Sequence, residues 1–182
     1  MPAEPLGDLH SQLLRTRTVL LFGEVDASLA KRVTAQLFAL AAAGDAPIRV
    51  VVSSPGGHVE SGDAIHDVIR FIEPEVTMLG TGWVASAAAL VYVAVPRERR
   101  FALPNTRFLL HQPLGAITGR AVEVEIEAAQ ILAIRRRIER IFADATGQSL
   151  DRIRADTDRN HWLSAEEAVA YGLVGEIVAR PA

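Results

Sequence analysis

The chain has 182 residues, 49% of them hydrophobic and 23% charged, with a formal net charge of −3. That length buries roughly 70% of the unfolded surface in one core, and no flexible linker divides the sequence, so a single domain is expected over 1–182. The balanced charge supplies no basic field for nucleic acid, and the absence of cysteine excludes disulfides, thiolate metal sites and a cysteine nucleophile.

Met1 to Pro5 carries neither the basic patch nor the apolar run of a secretory signal, which makes a cytoplasmic location the expectation. Val19 to Phe22 reads as a short buried strand stopped by Gly23. Asp26 or Ser28 then caps a helix whose apolar face is Leu29, Val33, Leu37 and Leu40, ended by Gly44. Ile48 to Val52 is a continuous β-branched run, the pattern of a strand covered on both faces, and it enters the glycine turn Ser53-Ser54-Pro55-Gly56-Gly57. The next helix carries Ile65, Val68, Ile69 and Ile72 and is closed by Pro74.

Strand Val76 to Leu79, a glycine-rich turn and a small-residue helix from Ser86 repeat the unit, and strands follow near Arg100 to Leu103 and Arg107 to Leu110. The uncharged stretch from Leu79 to Pro96 is long enough to raise a membrane span, but its glycines and alanines make it weakly hydrophobic and predict a buried helix instead. Gly119 to Gly147 alternates Val122, Val124 and Ile126 with glutamates at its start, then turns helical through Ile131, Ile134, Ile138 and Ile141; one long helix is expected. A short helix near Leu150 to Ala155, a helix opened by Ser164 and Glu167 at capping-box spacing, and a last strand from Leu173 to Val178 complete the chain. Strand and helix alternation of this kind predicts an α/β fold with crossover helices.

Two residues pose a chemical question. Ser86 lies where a strand gives way to a helix, so its own amide and that of Ala87 are expected at an unsatisfied helix N-terminus, suited to developing negative charge. Gly56-Gly57 is either an ordinary turn or a second source of amides for an oxyanion. His111 follows an apolar strand and precedes Gln112-Pro113; His10, His58, His66 and His161 compete with it, yet none has surroundings that connect it with a nucleophile. Taken singly, the serine reads as small-residue packing and the histidine as a satisfied core or surface group.

Ser-Ser-Pro-Gly-Gly at 53–57, Val-Ala-Ser-Ala-Ala at 84–88, Leu-Pro-Asn-Thr-Arg-Phe-Leu-Leu-His-Gln-Pro-Leu-Gly at 103–115 and Leu-Ser-Ala-Glu-Glu-Ala-Val-Ala-Tyr-Gly-Leu at 163–173 occur together and in order. From about Leu9 onward the chain resembles ClpP, the proteolytic subunit family of the Clp protease. The resemblance implies a ClpP/crotonase-like spiral of β-β-α units with a protruding helix-strand handle over 112–147, the handle strand lying near Pro113 to Gly115, and a flexible or processed terminus over 1–8. It implies that Ser86 is the nucleophile, His111 the general base, and the amides of Gly57 and Ala87 the oxyanion hole. Where the family carries methionine and glycine after the serine, this chain has Ala87 and Ala88.

The third position departs further, because the family's aspartate is replaced by Asn160. Asparagine fixes a tautomer of the histidine without supplying charge, so a Ser-His-Asn triad of reduced activity is expected. The resemblance also implies stacked heptameric rings, homomeric or mixed, bridged by Asp158 and Arg159, with an AAA+ Clp unfoldase feeding unfolded polypeptides. No Gly-Lys-Ser or Gly-Lys-Thr phosphate loop occurs, so ATP falls to that partner; no metal or cofactor and no nucleic-acid or membrane partner is expected. The alternative is a weakly active or non-catalytic regulatory subunit of a mixed ring, argued from Asn160 alone. A crotonase-type acyl-CoA enzyme shares the architecture but has no use for a Ser-His pair in these motifs.

Overall fold

The structure, a computed structural model, describes residues 6–113 and 119–179. Its elements are α1 (Leu6–Arg15), β1 (Thr18–Phe22), α2 (Ala27–Ala42), β2 (Ile48–Ser54), α3 (Val59–Phe71), β3 (Val76–Ala85), α4 (Ala87–Tyr92), β4 (Arg100–Ala102), β5 (Arg107–Leu110), α5 (Ala121–Thr146), α6 (Leu150–Thr157), β6 (His161–Leu163), α7 (Ala165–Tyr171) and β7 (Glu176–Ile177), the alternation the sequence predicts with α1 and β6 added to it. The strands form one sheet in the order β1-β2-β3-β4-β7, all parallel, while β5 pairs parallel with the far end of β3 and antiparallel with β6. The fold is the α/β spiral expected of the ClpP family.

Local chemistry explains the boundaries. Asp26 accepts from the Leu29 amide at 2.6 Å and starts α2, and the Ser164 hydroxyl and Glu167 carboxylate cap α7 reciprocally at 3.2 and 2.7 Å. Helix α2 packs on α3 and α3 on α4, while Val19, Leu21, Val50, Val52, Met78 and Leu90 fill the space between helices and sheet. The bidentate pair from Arg137 to Asp63, at 2.6 and 2.5 Å, joins α5 to α3.

Three expectations change. Strand β2 is not fully covered on both faces: burial alternates along it, and on neighbouring β1 Leu20 and Phe22 stand 39% and 48% exposed, because the described residues cover that face only in part. Gly80-Thr81-Gly82 is not a turn between strand and helix, for β3 runs through it to Ala85. There β3 changes partner from β4 to β5, and Gly80 permits the crowding: a Cβ on it would meet Thr106 Cγ2 and Val84 Cγ2 at 3.2 Å. The last strand contracts from Leu173–Val178 to β7, since Leu173 and Val174 are buried and their amides donate to Ala168 in the helix-ending turn.

Helix α1, passed over in the sequence as a polar lead-in, overlaps the terminus 1–8, and Leu14 packs it against the core. Helix α5 is continuous over 26 residues; Val122 and Ile126 in its first turns are exposed, whereas Ile138 and Phe142 are buried. At 1.5 Å per residue α5 is about 39 Å long, and its buried residues, Ile138, Glu139, Phe142 and Thr146, all fall in its second half. From Leu114 the expected handle strand lies outside the described residues.

Candidate active site

Ser86 occupies the joint between β3 and α4 with φ 54° and ψ −122°. A positive φ at a residue with a Cβ costs about 1–3 kcal/mol and persists only where neighbours enforce it. Here the Ser86 amide donates to the Leu109 carbonyl at 2.9 Å, and its carbonyl accepts from Ala89 and Leu90 at 2.9 and 3.1 Å. The sharp strand-to-helix turn that results presents the hydroxyl at the helix start, as a nucleophile elbow does. It also corrects one expectation: the Ser86 amide is spent on Leu109 and is not available to an oxyanion.

The Ala87 amide, first in α4, has no partner within the helix, and neither it nor the Gly57 amide donates to another backbone group among the described residues. Gly57 is fixed beside Val25, whose amide donates to the Gly56 carbonyl and whose carbonyl accepts from His58, each at 2.8 Å. Glycine is needed here for closeness: a Cβ on Gly56 would lie 2.6 Å from both the Ala85 oxygen and Ser86 Cβ, and 3.1 Å from the Ala87 nitrogen. The turn therefore rests directly against the serine joint.

His111 arrives from the adjacent strand. The ladder aligns Ala85 with Leu109, so the residues just beyond each strand end meet: Ser86 and His111 line one narrow cleft of about 20 Å³, walled by Val59, Leu90, Leu110, Ile138 and Phe142. That space holds little more than one water. Burial lowers the His111 pKa from its ordinary value, against a smaller opposing effect of the Gln112 backbone. The imidazole thus stays neutral, the form a general base needs, to lower pH than a free histidine. Peptide hydrolysis is expected to fall on acidification with a midpoint below about 6.5, measured as kcat/KM against pH; a midpoint above that value would contradict the role of a half-buried base.

The antiparallel ladder sets Leu110 opposite His161, so the next pair in register is His111 and Asn160. Asn160 nevertheless stands exposed, and no hydrogen bond of its side chain reaches His111. The His111 Nδ1 is buried and, among the described residues, meets no partner at hydrogen-bonding geometry. Such an orphan costs about 1–3 kcal/mol and marks the place where a third group would act.

Asp158 reaches Arg135 within the same chain, at 3.6 Å, and Arg159 is exposed without an ion pair among the described residues. Sequence reasoning missed Arg135 itself. Its guanidinium bonds Gln112 Oε1 at 2.6 Å and the buried Glu139 at 2.8 Å, while Gln112 Nε2 donates to the Asp158 carbonyl at 2.9 Å. This network ties α5 to the segments following His111 and α6. A glutamate at 139 on the packed side of an otherwise apolar stripe was the available signal. The competing histidines are engaged elsewhere: His58 with Ser61 and Glu60, His66 with Asp67, His10 with Gln36, and His161 against the Tyr171 ring. Among the described residues no group of three or more His, Cys, Asp or Glu is placed to hold a metal, and no helix is long and apolar enough to cross a membrane.

Comparison with known proteins identifies the family. The profile of the family described as Clp protease matches residues 3–181. The ATP-dependent Clp protease proteolytic subunit 3 of Rhizobium johnstonii is 58% identical over 179 residues, covering 98% of this chain and 92% of that one. ClpP1 from Listeria monocytogenes superposes with a TM-score of 0.86 at 50% identity, covering 95% of this chain and 97% of the other. An asparagine-to-aspartate mutant of the Listeria protein superposes with a TM-score of 0.88, again at 50% identity, with 94% and 96% covered. With its fold and nearly its whole length matched, the chain belongs to the Clp protease family, among its ClpP proteolytic subunits.

Proposed function

We infer that this chain is a serine endopeptidase subunit that hydrolyses peptide bonds of unfolded polypeptides, with Ser86 as nucleophile, His111 as general base and the Gly57 and Ala87 amides as oxyanion hole. The observation that carries the reading is the strained Ser86 turn sharing a narrow cleft with a half-buried histidine, whose pKa burial lowers, beside two amides that no backbone acceptor uses among the described residues. Ser86 Oγ attacks the scissile carbonyl as its proton passes to the imidazole. The carbonyl oxygen, now an anion, takes the two amides. Collapse breaks the C–N bond, the imidazolium returns the proton to the leaving amine, and water repeats the sequence on the acyl-enzyme.

Asn160 takes the third position at reduced turnover, and the chain works in cytoplasmic rings stacked through α5, Asp158 and Arg159 and served by an AAA+ Clp unfoldase. The exposed Leu20, Phe22 and Phe71, together with the half-packed α5, support assembly, since a lone chain gains nothing by leaving them in water. Arg159→Ala is expected to shift the particle toward single rings or smaller species in sedimentation velocity; an unchanged profile at low concentration would count against the bridge. A weakly active or non-catalytic ring subunit is the second reading, favoured by the unpartnered His111 Nδ1. Labelling with a fluorophosphonate separates the two: modification of Ser86, located by peptide mass, is expected, and an unlabelled serine in an assembled particle would favour the regulatory subunit.

A further inference from the structure

Beyond the far end of α4 from Ser86 lies a much larger cavity, about 530 Å³, into which His66, Arg70, Arg97, Arg100, Ile141 and Asp144 face. Its charge is unbalanced, with three guanidiniums against one carboxylate. None of Arg70, Arg97 and Arg100 forms an ion pair among the described residues. Among the described residues Arg97 donates only to the Val174 and Val169 carbonyls, at 3.2 and 2.7 Å, and Arg100 only to those of Leu173 and Ala145, at 3.0 and 2.7 Å.

Arg100 is the telling residue. It is 2% exposed, and its Nε is buried with no acceptor. A charge removed from water without a counter-charge is costly unless something supplies one. Burial pushes the Arg100 guanidinium down to about 10, and the neighbouring Arg97 charge adds to that push against Tyr92 and Glu98. The molecule therefore holds a buried cation with no ion-pair partner among the described residues at the edge of an open space, while two more arginines lining it carry guanidinium donors suited to tetrahedral oxyanions.

We propose that this cavity is a binding site for a phosphate-type oxyanion, clamped by Arg70 and Arg97 over the Arg100 charge. A polyvalent anion suits a site with two cations in excess better than a single carboxylate does. The volume exceeds that of one phosphate group, and Val93, Val95 and Ile141 line the remainder, so a free polyphosphate and the phosphate of a small organic molecule share the chemistry. Ser86 and His111 do not line this cavity, so its failure would leave the peptidase reading standing.

Isothermal titration of the assembled protein with inorganic pyrophosphate, with adenosine monophosphate and with acetate, all at fixed ionic strength, tests it. Saturable binding of at least one phosphate compound is expected, with acetate at least about tenfold weaker. Pyrophosphate as the tighter ligand identifies a free polyphosphate, the monophosphate an organic one. Arg70→Gln, which removes an exposed side chain without a structural hydrogen bond, should weaken that binding about tenfold and leave the melting temperature unchanged. Arg97→Gln should weaken it similarly. Absence of saturable phosphate binding, acetate binding as tightly, or affinity unmoved in both variants overturns the site.

Discussion

Ser86→Ala is expected to abolish peptide hydrolysis, lowering kcat by about 10⁴-fold or more, which corresponds to at least about 5.5 kcal/mol of barrier. The substitution deletes one oxygen and keeps everything else that shapes the joint. Alanine retains the Cβ, and the amide still donates to Leu109 while the carbonyl still accepts from Ala89 and Leu90. The strain at φ 54° is the same for serine and alanine, so folding and assembly should not change. What remains would be the background that two oriented amides provide without a nucleophile, a small residue of the whole. Because the hydroxyl does the chemistry and no metal is invoked, a chelator should leave the parent's turnover untouched. Hydrolysis of a short unstructured peptide, followed alongside sedimentation, decides: turnover in the alanine variant equal to the parent would remove Ser86 from the mechanism.

The sequence and the structure part company in instructive places. Regular elements were legible where one physical cause dominates, as with the capped helices at Asp26 and Ser164 or the isoleucine stripe of α5. The passage from Gly80 to Ala85 was not, because glycine there signals crowding by another strand rather than a bend, and crowding depends on partners remote in sequence. Partial coverage of β2 was hidden for a related reason: a β-branched run reports affinity for burial, and in this chain the described residues meet only part of it. At the site, the residue types were visible but not their geometry. A serine among alanines is compatible with simple packing until its φ is known, and the loss of its amide to Leu109 follows from the β3–β5 register. Gln112, though it sits in the 103–115 motif, and Arg135, which sits in none, give no sign in the sequence that they fasten the segments around His111 to each other.

Asn160→Asp is expected to raise peptide hydrolysis by about 10-fold to 10³-fold, roughly 1.4–4 kcal/mol of the barrier. The ladder makes Asn160 the residue in register with His111, while the Nδ1 of that imidazole lies buried without an acceptor among the described residues. When Ser86 is deprotonated the ring becomes cationic in a setting that already lowers its pKa by burial. A carboxylate nearby does two things an amide cannot: it accepts from Nδ1–H without ambiguity, holding the far nitrogen free, and its charge offsets the imidazolium. The gain should stop short of the roughly 10⁴-fold that the asparagine change costs a serine protease built around aspartate, because Asn160 stands exposed and water screens part of the new charge. The same carboxylate should lift the His111 pKa, so the acid limb of the kcat/KM profile should move upward in the variant. A gain in turnover together with that upward shift fits an aspartate acting through His111; a gain without the shift points to an effect on assembly instead. Turnover at or below the parent's, in particles of unchanged size, would mean that Asn160 is not what limits this site.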